Sequence, residues 1–367
     1  MKSSVAVVGA GTSGLITAKR LAELGVGTTV YDQKKTPGFP IRASGILSIT
    51  GLGTLGLQYK KAMTNTLQGA RLHVGKERID IRAEKPVAYV LDRLKLNELC
   101  MEEAEDAGAK VVTNTKVDGG LLDELASNEI LVGADGTVST VARHFGFPPI
   151  GKHILTYRAE YDYRLPESDM VELFFDNSFA PGFFGWICPN SKGIAEIGIG
   201  VDSKHGNSRA WFEKFKKAPD VSEIVRSGKL IDEGASVIPV GLRRHFVDSD
   251  REILLVGDAA GQVKPTTGGG IIFGGNGARY AAGAIDSHIR HGESLMEYER
   301  KWRREFAKEM KLHSFFYSLY SSLGKKKLEV VAKAVKAAGM ESFLGRYGDM
   351  DRPSVVIKRF FLRGLAK

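Results

Sequence analysis

Gly9, Gly11 and Gly14 stand in the stretch GAGTSG, directly after the β-forming run Val5–Val8. Gly9 permits a tight turn, Gly11 lets the backbone approach a pyrophosphate, and Gly14 lets helix and strand pack closely. Ser13 falls at the start of the helix expected to run through Leu24. The free N–H groups and positive dipole end of that helix would face the phosphates. Asp32 closes TTVYD at the distance expected of a carboxylate that takes a ribose diol. The spacing therefore specifies a dinucleotide site, with NAD and FAD both open.

A second stretch has the residues for an apolar site. Phe174, Phe175, Phe179, Phe183, Phe184 and Trp186 crowd thirteen positions that are interrupted by Pro181 and Gly182. Rings with so little polar company can wall a long apolar ligand, or they can be plain sheet core. Other chemistries lack their residues. Cys100 and Cys188 offer neither a disulfide framework nor a metal spacing. His288 and His291 share a helix face without a joining carboxylate or cysteine, which reads as solvated surface and no metal site. No nucleophile elbow occurs.

The elements that must position these residues alternate in the first half. Strand Val5–Val8, a helix from about Ser13 to Leu24 and strand Thr28–Asp32 are followed by a helix from about Arg93 to Ala107. Strands Lys110–Thr113 and Glu129–Val132 come next. These are βαβ units of a doubly wound parallel sheet. Ala70–Ile81 alternates like a hairpin, and His153–Val201 keeps a period of two, which predicts an antiparallel sheet. Arg209–Gly228, Gly283–Leu323, Lys325–Ala338 and the end of the chain read as helical. Tyr298, Trp302, Phe306 and Met310 fall four apart, as one core-facing stripe. The expected architecture is α/β, with a Rossmann-type doubly wound cofactor domain, an antiparallel β-sheet substrate domain and a C-terminal helical region. The expected division is 1–150, with a hairpin excursion near 70–90, then 151–240, 241–295 and 296–367.

Charge is informative once located. The chain carries a net +9, but Lys301–Lys367 holds 16 basic and 6 acidic residues, so the rest is close to neutral. No nucleic-acid module accompanies the excess. Val355, Val356, Ile357, Phe360, Phe361 and Leu365 mix with Lys358, Arg359, Arg363 and Lys367, which suits a membrane surface or a solvated helix. Lys2 leads straight into a strand and no run of 18 apolar residues occurs, so neither a secretory leader nor a spanning helix is expected. A cytoplasmic protein is the expectation, with peripheral contact to the inner face of the membrane.

VGADGTVSTVAR (Val132 to Arg143) and LLVGDAAGQVKPTTGGGI (Leu254 to Ile271) resemble the two further FAD fingerprints of the p-hydroxybenzoate hydroxylase superfamily. The second resembles the geranylgeranyl reductase family in particular. PIRASGILS (Pro40 to Ser48), APGFFGWICP (Ala180 to Pro189) and YGDMDRPS (Tyr347 to Ser354) agree, so the resemblance runs from Val5 to about Ser354. It implies FAD as cofactor. Asp32 would stand where the family usually has Glu, and Asp258 would bind the second ribose or the ribityl chain. Gly270 and Ile271 would offer N–H groups to the flavin O2, while Arg93 lies near the cofactor and Val117 makes a backbone contact. Ala43, Ser44 and Gly45 would touch FAD through the backbone. Ala43 replaces a family cysteine, so no catalytic side chain is named. FGWICP is similar to the family's Tyr-x-Trp-x-Phe-Pro motif. By that likeness Phe184, Trp186 and Pro189 would line the isoprenoid site, with Phe184 in the Tyr position and Cys188 in the Phe position.

The activity so implied is FAD-dependent saturation of carbon–carbon double bonds in geranylgeranyl chains of archaeal ether-lipid precursors. Reduced flavin would give hydride from N5 to one alkene carbon, and a proton would reach the other. The rivals are a flavin monooxygenase or halogenase on the same fold, a reductase of a quinone's prenyl tail, and a flavin binder without redox activity. No second nucleotide fingerprint appears, so NAD(P)H, ferredoxin or another reduced carrier all stand as electron donor.

Overall fold

The computed structural model describes residues 2–40, 42–191 and 193–365, with side chains through Leu362. Among them are three sheets. The first has six strands, in the order Val247–Asp248, Ile253–Leu255, Ile130–Gly133, Ser4–Val8, Gly27–Tyr31, Lys110–Val112. All neighbours are parallel except the Val247–Asp248 edge. The central strands are buried on both faces, as the uninterrupted apolar runs VAVV and ILV require. Helix Thr12–Glu23 packs between this sheet and helices Arg93–Asp106 and Ile271–His291.

The second sheet has seven strands, ordered Lys229–Pro239, His153–Asp162, Ile194–Asp202, Gly185–Ser191, Met170–Phe174, Gly69–Val74, Glu77–Arg82. Its pairs are antiparallel except where Met170–Phe174 meets Gly69–Val74. The hairpin Gly69–Arg82, expected as an excursion near 70–90, pairs into the second sheet. Parallel pairing across a long connection leaves no local signature in the sequence. A third, three-stranded antiparallel sheet (Ile46–Ser48, Ala88–Leu91, Met63–Leu67) lies against the second around Cys188.

Helix Met296–Ser322 buries Tyr298, Trp302, Phe306 and Met310 in the first core, as the stripe predicts. The Trp302 indole donates to Phe273 O at 3.1 Å. Tyr317, nearer its C-terminal end, joins a cluster on the second sheet. One rigid helix of 27 residues, about 40 Å long, therefore braces both sheets. The basic helix Lys325–Ala337 buries Ala332 against Val74 and Ile79 of the hairpin. Arg209–Gly228 divides into Ser208–Phe215 and Pro219–Ser227, with Pro219 at the first position of the second helix.

Candidate cofactor and substrate site

The three glycines of the first loop do different work. A Cβ on Gly9 would stand 2.4 Å from Ala134 O, and one on Gly14 would stand 2.0 Å from Gly9 O. Protein packing alone excludes side chains at both. A Cβ on Gly11 would meet no atom within 4 Å, so its openness serves something other than the fold. Gly11 caps helix Thr12–Glu23 with no side-chain hydrogen bond, which leaves the first N–H groups directed outward. The Ala10 peptide is clamped on both sides: its N–H donates to Asp32 Oδ2 at 2.8 Å, and its carbonyl accepts from Asn97 Nδ2 at 2.9 Å. Asp32 Oδ1 also accepts from Lys34 N. The strand-end carboxylate thus sits against the glycine loop and holds it. The Ser13 hydroxyl faces Gly257 and Gly274. A Cβ on Gly257 would meet it at 2.6 Å and one on Gly274 at 2.8 Å, so it packs between two fingerprints, leaving its helix-start N–H for an anion.

Arg93 begins helix Arg93–Asp106 beside this loop, and its Nη2 donates to Thr12 Oγ1 at 3.3 Å. The residue keeps some exposed surface, but its Nε and Nη1 are buried and lack a hydrogen-bond partner among the described residues. Burial pushes this guanidinium below its ordinary value, with Asp258 among the charges that resist. An orphaned buried cation beside bare helix N–H groups demands an anionic or strongly accepting ligand. Gly45, at φ +71°, approaches so closely that a Cβ would meet Leu91 O at 2.1 Å. That contact, with Leu91 N donating to Gly45 O at 3.0 Å, brings the Ala43–Gly45 loop to the start of the Arg93 helix. Ala43 is exposed and Ser44 partly buried.

Asp258 accepts from Thr137 Oγ1 at 3.4 Å, which ties the GADG and GDAAG segments together. Burial pushes its carboxyl above the ordinary value, against Thr137 and Arg93. A Cβ on Gly270 would stand 2.7 Å from Asp258 Oδ1, and Gly270 caps helix Ile271–His291 without a side-chain bond. A second bare helix N-terminus, beginning with Ile271, therefore lies against Asp258. Val117 departs from this group: its side chain is buried in the first core, leaving only its backbone for the contact the resemblance implies.

The aromatic stretch divides between two faces of the second sheet. Phe174 and Phe179 pack with Phe215 on the helix-covered face, so they are core and not wall. Phe183, Phe184, Ile154 and Tyr317 cluster on the opposite face, with Phe175, Trp186, Ile238 and Tyr320 against them. Phe183 and Phe184 stack at 4.2 Å between centroids. Tyr320 donates to Thr266 O at 2.9 Å, and a Cβ on Gly268 would meet Ile238 Cδ1 at 2.6 Å. The aromatic wall thus abuts the TTGGG loop that carries Gly270. Pro189 sits apart from this cluster, its carbonyl accepting from Asn65 Nδ2 at 2.6 Å.

Sequence reading missed the group behind that loop. Lys264, Asp351, Ser48 and His313 are buried together, although three of the four lie in quoted stretches. Their polar types within glycine- and proline-rich loops were the available signal. His288 is another correction. It is paired with Glu252 at 2.9 Å instead of being solvated, and no metal-holding cluster occurs among the described residues.

Two outward helix N-termini, an orphaned guanidinium and space beside Gly11 fit a dinucleotide with a second, polar ring system. A family model described as FAD binding domain matches residues 2–312. The chain belongs to this family. As an FAD-binding protein it is 28% identical to digeranylgeranylglycerophospholipid reductase 2 of Methanothermobacter thermautotrophicus, over 93% of this chain and 94% of that one. Its fold matches a geranylgeranyl bacteriochlorophyll reductase-like protein from Thermoplasma acidophilum with a TM-score of 0.80, at 22% identity, over 97% of this chain and 98% of that one. The flavin-dependent brominase Bmp2 shares the fold with a TM-score of 0.71, at 13% identity over the full length of both.

Proposed function

We propose that this FAD-binding protein is a reductase that saturates carbon–carbon double bonds of geranylgeranyl chains in ether-lipid precursors. The observation that carries the reading is the apolar wall of Phe183, Phe184, Trp186, Tyr317 and Tyr320 set directly against the Thr266–Gly270 loop. The names of its relatives point the same way. Bound and reduced, FAD supplies hydride to an alkene carbon. The chain's own residues do the rest. The Gly11 and Gly270 helix starts and Arg93 would hold the anionic and carbonyl oxygens of the cofactor. Asp32 and Asp258 would take hydroxyls. The wall would exclude water and orient the chain. A halogenase on this fold is the rival reading.

No helix among the described residues is long and apolar enough to cross a membrane. The C-terminal helices nonetheless expose Val330, Phe361 and Leu362 among lysines and arginines, which supports peripheral attachment where such lipids reside. Arg363 and Leu365 lie beyond the described side chains, and Lys367 beyond the described residues. The deciding test is anaerobic dithionite reduction followed by mass spectrometry of an added geranylgeranyl lipid. Mass gain in steps of two hydrogens supports the reductase. Gain only of oxygen or halogen, in the presence of oxygen, supports the rival.

A further inference from the structure

Trp186 is held by a buried carboxylate. Its Nε1–H donates to Glu196 Oε1 at 2.8 Å, and Glu196 is fully buried. The sheet register sets Glu196 opposite Glu160 on one side and Cys188 on the other, so the small Cys188 side chain leaves room there. The indole lies flat on the strand two residues further along. A Cβ on Gly198 would come within 2.1 Å of its Cζ2.

The other carboxylate oxygen, Oε2, accepts no hydrogen bond among the described residues, and Arg158 Nη1 stands 3.7 Å away. Arg158 reaches Glu160 at 3.2 Å and Asp232 at 2.9 Å. Asp232 Oδ2 also meets Arg42 Nη1 at 3.2 Å. Arg42 immediately precedes Ala43–Gly45. An unbroken ionic chain therefore runs from the loop beside Arg93 to the indole of the aromatic wall.

We propose that Glu196 is a positioning residue for the reductase reaction, holding the Trp186 indole in a fixed plane and tying that plane through Arg158 and Asp232 to the Arg42–Gly45 loop. This rests on Trp186 being part of the lipid wall. An aromatic plane held at both its face and its N–H guides a long chain past a fixed point, which matters more to a long substrate than to a short one.

The hold depends on charge. The groups facing Glu196 are Arg158 and Glu160 from one neighbouring strand, Trp186 and Cys188 from the other, and Asp232 one strand further. The three-stranded sheet packed over Cys188 brings apolar Val90 and Ile46. Burial pushes the Glu196 carboxyl up to about 7, with Arg158 and Trp186 pulling it down and Glu160 and Asp232 pushing it up. The ionised form accepts the indole N–H in a charge-assisted bond and attracts Arg158. The protonated form does both less well.

Two measurements on the full-length holoenzyme test this. The first is tryptophan emission between pH 5.5 and 8.5, with Trp186→Phe subtracted. It should show a transition near pH 7 that is absent in Glu196→Gln, which keeps an acceptor but cannot titrate. A transition that persists in Glu196→Gln overturns the proposal, whatever the lipid does. The second is KM against chain length. In wild type the geranylgeranyl KM should rise about fivefold as pH falls through 7, on the strength of charge-assisted bonds. The KM of a short prenyl substrate should stay level, and Glu196→Gln should flatten the long-chain profile. Equal shifts for both lengths, with the emission transition intact, overturn the wall reading and the proposed role with it.

Discussion

Lys264 Nζ and Asp351 Oδ1 stand 2.6 Å apart, with each side chain only 7% exposed, and join segments 87 positions apart in the chain. Asp351 Oδ2 also accepts from Ser48 Oγ, which in turn accepts from Gly51 N. One carboxylate thus gathers PIRASGILS, the TTGGG loop and YGDMDRPS. Burial alone would raise the Asp351 carboxyl, but Lys264 and Ser48 outweigh it and hold the group below its ordinary value.

Breaking this pair should cost more than deleting it. Lys264→Met or Asp351→Asn alone should destabilise by about 3–5 kcal/mol, because the partner's charge or polar group stays buried without its mate. The double variant should recover a large part of that loss. Chemical denaturation of the three proteins measures the difference. Additive losses would show that the two side chains act separately.

His313 makes stability depend on pH. Its Nδ1 meets Thr266 Oγ1 at 2.8 Å, and burial, then Lys264, pushes its pKa down to about 4. The unfolded state therefore binds the proton first as pH falls. Stability is full above about 6.5 and is lost between 6.5 and 4, by about 3 kcal/mol in all. Wild type minus His313→Gln, measured at pH 7.5 and 4.5, should show this loss. A difference that does not change with pH would refute it.

The glycines should separate folding from cofactor binding. Gly14→Ala places a Cβ against Gly9 O and should lower thermal stability even without FAD. Gly11→Val meets open space, so the apoprotein should melt near the wild-type temperature while FAD affinity falls at least about tenfold, the equivalent of roughly 1.4 kcal/mol. Flavin fluorescence titration beside differential scanning fluorimetry reads both.

Two phenylalanines of the one aromatic stretch should differ in kind. Phe174→Ala empties the helix-covered core and should cost about 3–5 kcal/mol of stability. Phe184→Ala, on the other face, should raise the KM of a geranylgeranyl substrate more than that of a short one. Steady-state kinetics at two chain lengths, with denaturation curves, distinguishes them. A chain-length effect from Phe174→Ala would place the lipid on the wrong face.

Flotation with liposomes should show salt-sensitive binding that needs anionic lipid. Each basic residue near such a surface contributes about 1 kcal/mol, falling off within a Debye length. Phe360 packs edge-on to Phe343, whereas Phe361 is 66% exposed. Phe361→Ser with Lys358→Gln and Arg359→Gln should therefore weaken binding. Equal flotation of wild type and variant would leave the membrane reading without support.

The sequence by itself determined the glycine loop, Asp32, the first βαβ unit and the core stripe of the long helix. Each follows from contacts within some thirty residues, where period and spacing are the structure. The family resemblance singled out Asp258, Gly270 and Trp186 for the site. Only the tertiary structure decided that Phe174 and Phe184 face opposite ways, that the hairpin joins the second sheet, and that Lys264 meets Asp351. It alone set Glu196 beneath Trp186 and left two nitrogens of the Arg93 guanidinium without a hydrogen-bond partner among the described residues. These depend on which strands become neighbours across long stretches of chain. Strand pairing is fixed by the burial of whole sheet faces, and no local spacing of residues records that choice.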